Sequence, residues 1–64
     1  MIYALRVKGQ GWCFVREGAN YDYDDEDHVQ GLDGAMTFAS REAADAALTF
    51  QSHPESLMVE EVDA

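Results

Sequence analysis

The feature that most limits how this chain can fold is the segment Tyr21-Asp22-Tyr23-Asp24-Asp25-Glu26-Asp27-His28. It places five carboxylates within six residues and contains no Lys or Arg. A charge run of this kind belongs on a wet surface. The folded body must therefore come from the residues on either side, and the run is expected to be held out from it, towards a partner.

The body is small. At 64 residues the chain makes one domain, 1–64, and a domain of this size buries only about 60% of its unfolded surface. Cys13 is the only cysteine, so no disulfide forms within the chain, and a lone thiol fits a reducing, cytoplasmic setting. Thirteen acids against four bases leave a net charge of −9. That charge opposes compaction and excludes bare nucleic acid and anionic membranes as partners, while a basic protein surface is well matched. The 47% hydrophobic content, with seven aromatics, argues against global disorder. No apolar run is long enough to span a membrane, and the N-terminus lacks a signal-peptide pattern. The expected location is the cytoplasm, that of the host cell if the protein is phage-encoded.

Ile2 to Lys8 alternates, with Tyr3, Leu5 and Val7 on one side. Gly9-Gln10-Gly11 supplies a hairpin turn. Trp12 to Glu17 reads as the second strand, with Trp12, Phe14 and Arg16 on one face and Cys13 and Val15 on the other. The connection from Asn20 to Gly34 is long for so small a domain. Within it, Tyr21 and Tyr23 alternate with acids as an edge strand would. Met36-Thr37-Phe38 is a short strand or an extended lead-in. Ser40 then precedes a helical pattern over about Arg41 to Gln51, where its hydroxyl can cap the first turn. Glu42 favours that end of the helix. Ala43, Ala44, Ala47, Leu48 and Phe50 form the apolar stripe. Pro54 is expected to stop the helix, and Leu57 to Val62 forms the last strand, followed by a frayed Asp63-Ala64. The expected fold is α+β: a ββ(β)αβ domain with an antiparallel sheet of three or four strands and one helix packed on one face. The last strand should pair beside the first, so that Tyr3, Leu5, Val7, Ala44, Leu48 and Val59 meet in the core. Trp12 and Phe14 would add its largest pieces.

For the acidic run the plain reading is a solvated loop that keeps the protein soluble. The sharper one is a surface that imitates a nucleic-acid backbone. An extended chain advances about 3.3 Å per residue, and one DNA strand carries a charge per roughly 3.4 Å of axis. Asp22, Asp24, Asp25, Glu26 and Asp27 would carry this role, with Asp33 just beyond and Glu55, Glu60, Glu61 and Asp63 extending the face. Arg6, Lys8 and Arg16 are segregated on the first hairpin. Tyr21 and Tyr23 either add apolar contact area beside the acids or belong to the core.

Other chemistry is poorly supported. Asp22, Asp24, Glu26 and Asp33 are spaced in a way similar to a calcium loop, but Asp27 stands where the sharp turn needs glycine, and no helix precedes the run. Cys13, His28 and His53 lack paired zinc spacing. Cys13 reads as a small buried hydrophobe, His28 as a softener of local repulsion and His53 as a helix-terminating residue. No catalytic residues, metal or cofactor are assigned, and the chain has little room for a water-excluding pocket.

A short, strongly acidic domain with this element order, its helix opening on Phe38-Ala39-Ser40-Arg41-Glu42-Ala43-Ala44, resembles small phage-encoded proteins, and among them the anti-CRISPR inhibitors of the DNA-mimic type. The resemblance implies a non-enzymatic inhibitor that binds the basic nucleic-acid-binding surface of a CRISPR surveillance complex and blocks target DNA, acting as a monomer rather than a dimer. The alternative is a structural or assembly adaptor that binds a protein partner through an apolar sheet face, with Trp12, Phe14 and Met58 as contacts.

Overall fold

The computed structural model describes residues 1–62; Asp63, expected on the acidic face, and the Asp63-Ala64 end expected to fray lie outside the described residues. The fold is α+β, a single antiparallel sheet with one helix packed on it. The strands are β1 (Ile2–Val7), β2 (Cys13–Val15), β3 (His28–Gln30), β4 (Thr37–Phe38) and β5 (Leu57–Val62). The helix α1 spans Arg41–Thr49, and Pro54–Ser56 forms a 3₁₀ turn.

β1 is the centre of the sheet. Along one edge it pairs over its whole length with β5, from Ile2 opposite Val62 to Val7 opposite Leu57. Two short strands share its other edge. β2 meets the C-terminal half, Arg6 opposite Phe14, and β4 meets the N-terminal half, Tyr3 opposite Phe38. β3 pairs outside β2. Occupied edges and two covered faces explain why Ala4, Leu5 and Val7 are almost completely buried. The β1–β2 turn depends on Gly9 and Gly11, whose φ values of +76° and +66° suit glycine and few other residues.

The alternation read from the sequence sorts the side chains onto two faces. Leu5, Val7, Val15 and Leu57 pack under α1 with Ala44, and Tyr3, Leu48 and Val59 adjoin them, as expected. The opposite face carries a second, smaller core of Ala4, Phe14, Ala35 and Val62, flanked by Ile2, Val29 and Leu32. Phe14 is fully buried there. Trp12 is not: it lies outside β2, its ring nearly perpendicular to that of Phe14 with the centroids 4.8 Å apart, and keeps 48% of its surface exposed. The segment carrying Leu32 and Ala35 packs on Phe14 and leaves Trp12 in solvent.

The sheet has five strands instead of three or four, and the additional one is not at Tyr21 and Tyr23. It is His28–Gln30, which aligns Val15 with His28 and Cys13 with Gln30. The helix begins where expected, with Ser40 Oγ accepting from the Ala43 N–H at 3.2 Å. It ends at Thr49, well before Pro54. The Phe50 N–H bonds back to Ala47 in a tightened last turn, and Ser52 N–H is captured by Asn20 Oδ1 at 2.7 Å. Pro54 instead opens the 3₁₀ turn, where its missing N–H costs nothing. Ala43 and Phe50, expected on the buried stripe, are exposed because the sheet covers only the side carrying Ala44, Ala47 and Leu48.

Candidate functional site

The acidic run starts from a fixed point. Tyr21 is 3% exposed and packs among Leu5, Val15 and Leu57. Its backbone N–H donates to Gln51 Oε1 at 2.7 Å, tying the loop to the end of α1. Burial is the main cause that pushes the Tyr21 phenol above its ordinary pKa, and neighbouring Tyr23 and Asp27 add to it. Tyr21 is therefore a core residue, and the chain turns outward after it.

Tyr23 makes that turn in a left-handed backbone conformation, φ +64°, the only positive φ at a residue other than glycine among those described. Left-handed backbone at a bulky side chain costs of order 1–3 kcal/mol and persists only where surrounding contacts hold it. Here they do. The Tyr23 ring lies 4.4 Å from the His53 ring and 5.2 Å from Tyr21, and its hydroxyl shares a hydrogen bond with Ser56 Oγ at 2.7 Å. It also donates to Glu55 Oε2 at 3.4 Å. His53 Nε2 donates to Asp22 Oδ1 at 2.8 Å, and its Nδ1 lies 3.4 Å from Glu55 Oε2. The loop is thereby docked on the segment between α1 and β5. The Glu55 carboxyl lies below its ordinary pKa, first because backbone N–H hydrogen bonding favours its charged form and then because of His53.

The rest of the run is a tight turn. The Asp27 N–H donates to the Asp24 carbonyl at 3.1 Å, which places Asp25 and Glu26 at the tip. Asp27 Oδ2 accepts from the N–H of Asp22 at 2.8 Å and of Asp24 at 3.2 Å. The Asp27 carbonyl accepts from Arg16 N–H at 2.8 Å. Asp27 therefore organises the loop from within. An extended run with a phosphate-like spacing is not what forms; folding back concentrates the charge at one point. Asp24, Asp25 and Glu26 are exposed, and among the described residues none has a Lys or Arg within ion-pairing distance.

The other acids are placed differently. Glu60 is held by Arg6, its Oε1 3.1 Å from Nη1. Glu61 is exposed on β5 opposite Tyr3, and Asp33 is exposed in the turn between β3 and β4. Neither makes a hydrogen bond to the run. Glu55 does join it, through Tyr23 and His53. The bases are less segregated than their positions in the chain imply. Lys8 Nζ donates to the Glu55 carbonyl at 3.1 Å, so one ammonium borders the acidic end.

His53, Gln51 and Asn20, read from the sequence as a helix-terminating residue, the helix end and the start of the connection, and Ser56, which that reading passed over, in fact fasten the loop. The only signal for the fastening role was polarity, just after the helix for Gln51, His53 and Ser56 and at a turn for Asn20, and that is common. His28, placed near the carboxylates by sequence, turns inward to β3. Its Nδ1 is buried without a hydrogen-bond partner among the described residues, and its ring lies 6.0 Å from Tyr21.

Chemically, the arrangement presents fixed negative charge with an aromatic beside it. Ser56 Oγ is bonded to Tyr23 and not to His53, so no serine–histidine pair forms. Among the described residues no group of His, Cys, Asp and Glu is placed to share a metal ion, no pocket opens, and no helix is long and apolar enough to cross a membrane. The chain matches no protein-family model, no curated protein and no solved structure.

Proposed function

We propose that the protein is a non-enzymatic inhibitor whose acidic turn binds a basic surface that otherwise holds nucleic acid, the DNA-binding face of a CRISPR surveillance complex being the specific target suggested by the resemblance. The observation that supports this most is the uncompensated charge of Asp24, Asp25 and Glu26 on a loop docked by side-chain hydrogen bonds at its start, by the Arg16–Asp27 backbone hydrogen bond at its end, and closed from within by Asp27. Ordering a flexible loop on binding costs affinity, and a loop already held avoids much of that cost. Opposed fields then speed encounter and make binding salt-sensitive. The inhibition is competitive: carboxylates occupy the Lys and Arg that phosphates would engage.

The test is competition between the protein and a labelled DNA duplex for a purified surveillance complex, followed by anisotropy at low and high salt. The informative variant changes Asp24→Asn, Asp25→Asn and Glu26→Gln while sparing Asp27, which holds the loop together. Loss of competition by this variant, with its fold retained, is the expected result. Unchanged competition removes the role assigned to the turn. The adaptor reading keeps one supporting observation, the exposure of Trp12 (48%) and Met58 (38%) on the face opposite α1. Phe14 is buried and drops out of it. Binding through that face would respond little to salt.

A further inference from the structure

Strand β5 closes one side of the sheet. It pairs with β1 and, among the described residues, with no strand beyond it. The register fixes which of its backbone groups are left over. Lys8 N–H donates to the Ser56 carbonyl at 2.9 Å, which marks that level as one where the two strands exchange hydrogen bonds. Such levels alternate in an antiparallel ladder. Met58, Glu60 and Val62 therefore turn their N–H and C=O towards β1, opposite Arg6, Ala4 and Ile2. Leu57, Val59 and Glu61 turn theirs away from it. The Leu57 N–H is taken up by the Pro54 carbonyl. The N–H groups of Val59 and Glu61, and the carbonyls of Leu57, Val59 and Glu61, have no backbone partner among the described residues.

Edge strands are usually blunted by Lys or Pro, by a bulge, or by being very short. β5 has none of these: it runs six residues in unbroken register. What it carries is acid, Glu60 and Glu61. We infer that β5 accepts one further strand from a partner protein, an extended basic segment that pairs along its outer edge with Lys or Arg opposite Glu61. Donors and acceptors at every second residue of a strand are met by an extended backbone. The side chains then select its sequence. Val59 and Glu61 share one face of β5. Val59 adjoins the core under α1, and Glu61 is exposed without an ion-pair partner among the described residues. An apolar residue across from Val59 and a Lys or Arg two positions on, across from Glu61, match both, since opposite charges across a pair attract and like charges repel. A second copy of this chain fits poorly. The register that sets Val59 against Val59 brings Glu61 against Leu57 and Glu60 against Met58. No carboxylate gains a cation there, and each copy carries a net charge of −9. The inference does not rest on the acidic turn.

The test is amide hydrogen exchange of the labelled protein, read by NMR, with a short probe peptide of alternating Val and Lys and a control of alternating Val and Glu. In the free protein the N–H groups of Val59 and Glu61 should exchange fast although they lie within a strand, and those of Met58 and Glu60 slowly. At about 1 mM the Val–Lys probe is expected to slow exchange at Val59 and Glu61 about tenfold or more, while the control does not. Glu61→Lys should reverse that preference. Glu61 is exposed, so this variant keeps its fold, which far-UV circular dichroism checks. The inference is overturned if the Val–Lys probe leaves the two amides unchanged, even where it binds elsewhere on the protein. It is overturned equally if both peptides protect them alike, or if Glu61→Lys leaves the preference as it was. Protection that appears on raising the protein concentration alone would make a second copy the occupant and overturn it too. The variant neutral at 24, 25 and 26 is expected to keep the protection, so the edge and the turn stand or fall separately.

Discussion

Within the run, residues of the same type do different work. Asp25 points into solvent from the tip of the turn, whereas Asp27 accepts from two backbone N–H groups. Asp27→Ala is expected to cost about 1–2 kcal/mol, as loss of a capping carboxylate does, while Asp25→Ala should stay within about 0.5 kcal/mol. Urea unfolding of both variants checks this, and equal costs would contradict the assignment. Glu55 makes a prediction about pH. Its carboxyl is held below the ordinary value of 4.5, so its contribution is present above that value and is lost as pH falls through the lower pKa of the folded state. Glu55→Gln should therefore lower stability above about pH 4.5 and converge on the wild type as the pH falls further, giving a flatter acid limb, as read from urea midpoints from neutral to acid pH. These distinctions were not legible in the sequence. The five acids look alike until the chain closes on itself, and the left-handed Tyr23 breaks the alternation that paired it with Tyr21.

At the level of elements, the long, patterned pieces were legible. Ile2–Val7, Leu57–Val62 and the helix have enough residues for a period to show, and Ser40 marks the helix start by a mechanism that needs only local chain. Ser40→Ala is expected to cost about 1 kcal/mol, measurable as a lower urea midpoint with an unchanged slope. β3 and β4 were harder. Strands of three and two residues carry no period; they exist because β1 and β2 offer free edges to pair with. The end of the helix escaped for a related reason, since Asn20 and Gln51 are far apart in the chain and settle it together with Tyr21 and Ser52. Leu5→Ala removes a fully buried side chain from the central strand. It should cost about 2–5 kcal/mol, enough to unfold a domain of this size at ordinary temperatures; a cooperative transition at the wild-type midpoint would show that the core is not where it is drawn.

For the whole molecule, the net charge of −9 is spread over a surface of 3969 Å². Self-repulsion destabilises such a fold, and salt screens it. Raising ionic strength to about 1 M, where the Debye length is about 3 Å, should increase the urea midpoint of the isolated protein. Stability that falls with added salt would mean that attractive pairs such as Arg6–Glu60 outweigh the repulsion.

The pairing of the first strand with the last has a temporal consequence. Synthesis delivers Ile2–Val7 first, and the partner that covers its whole length, Leu57–Val62, emerges about fifty residues later. A nascent chain must wait, with one whole edge of its central strand unpaired, until translation has passed Val62. A stop codon placed after Ser56 should accordingly yield a product that never settles into a native state, however intact its hairpin and helix are on paper.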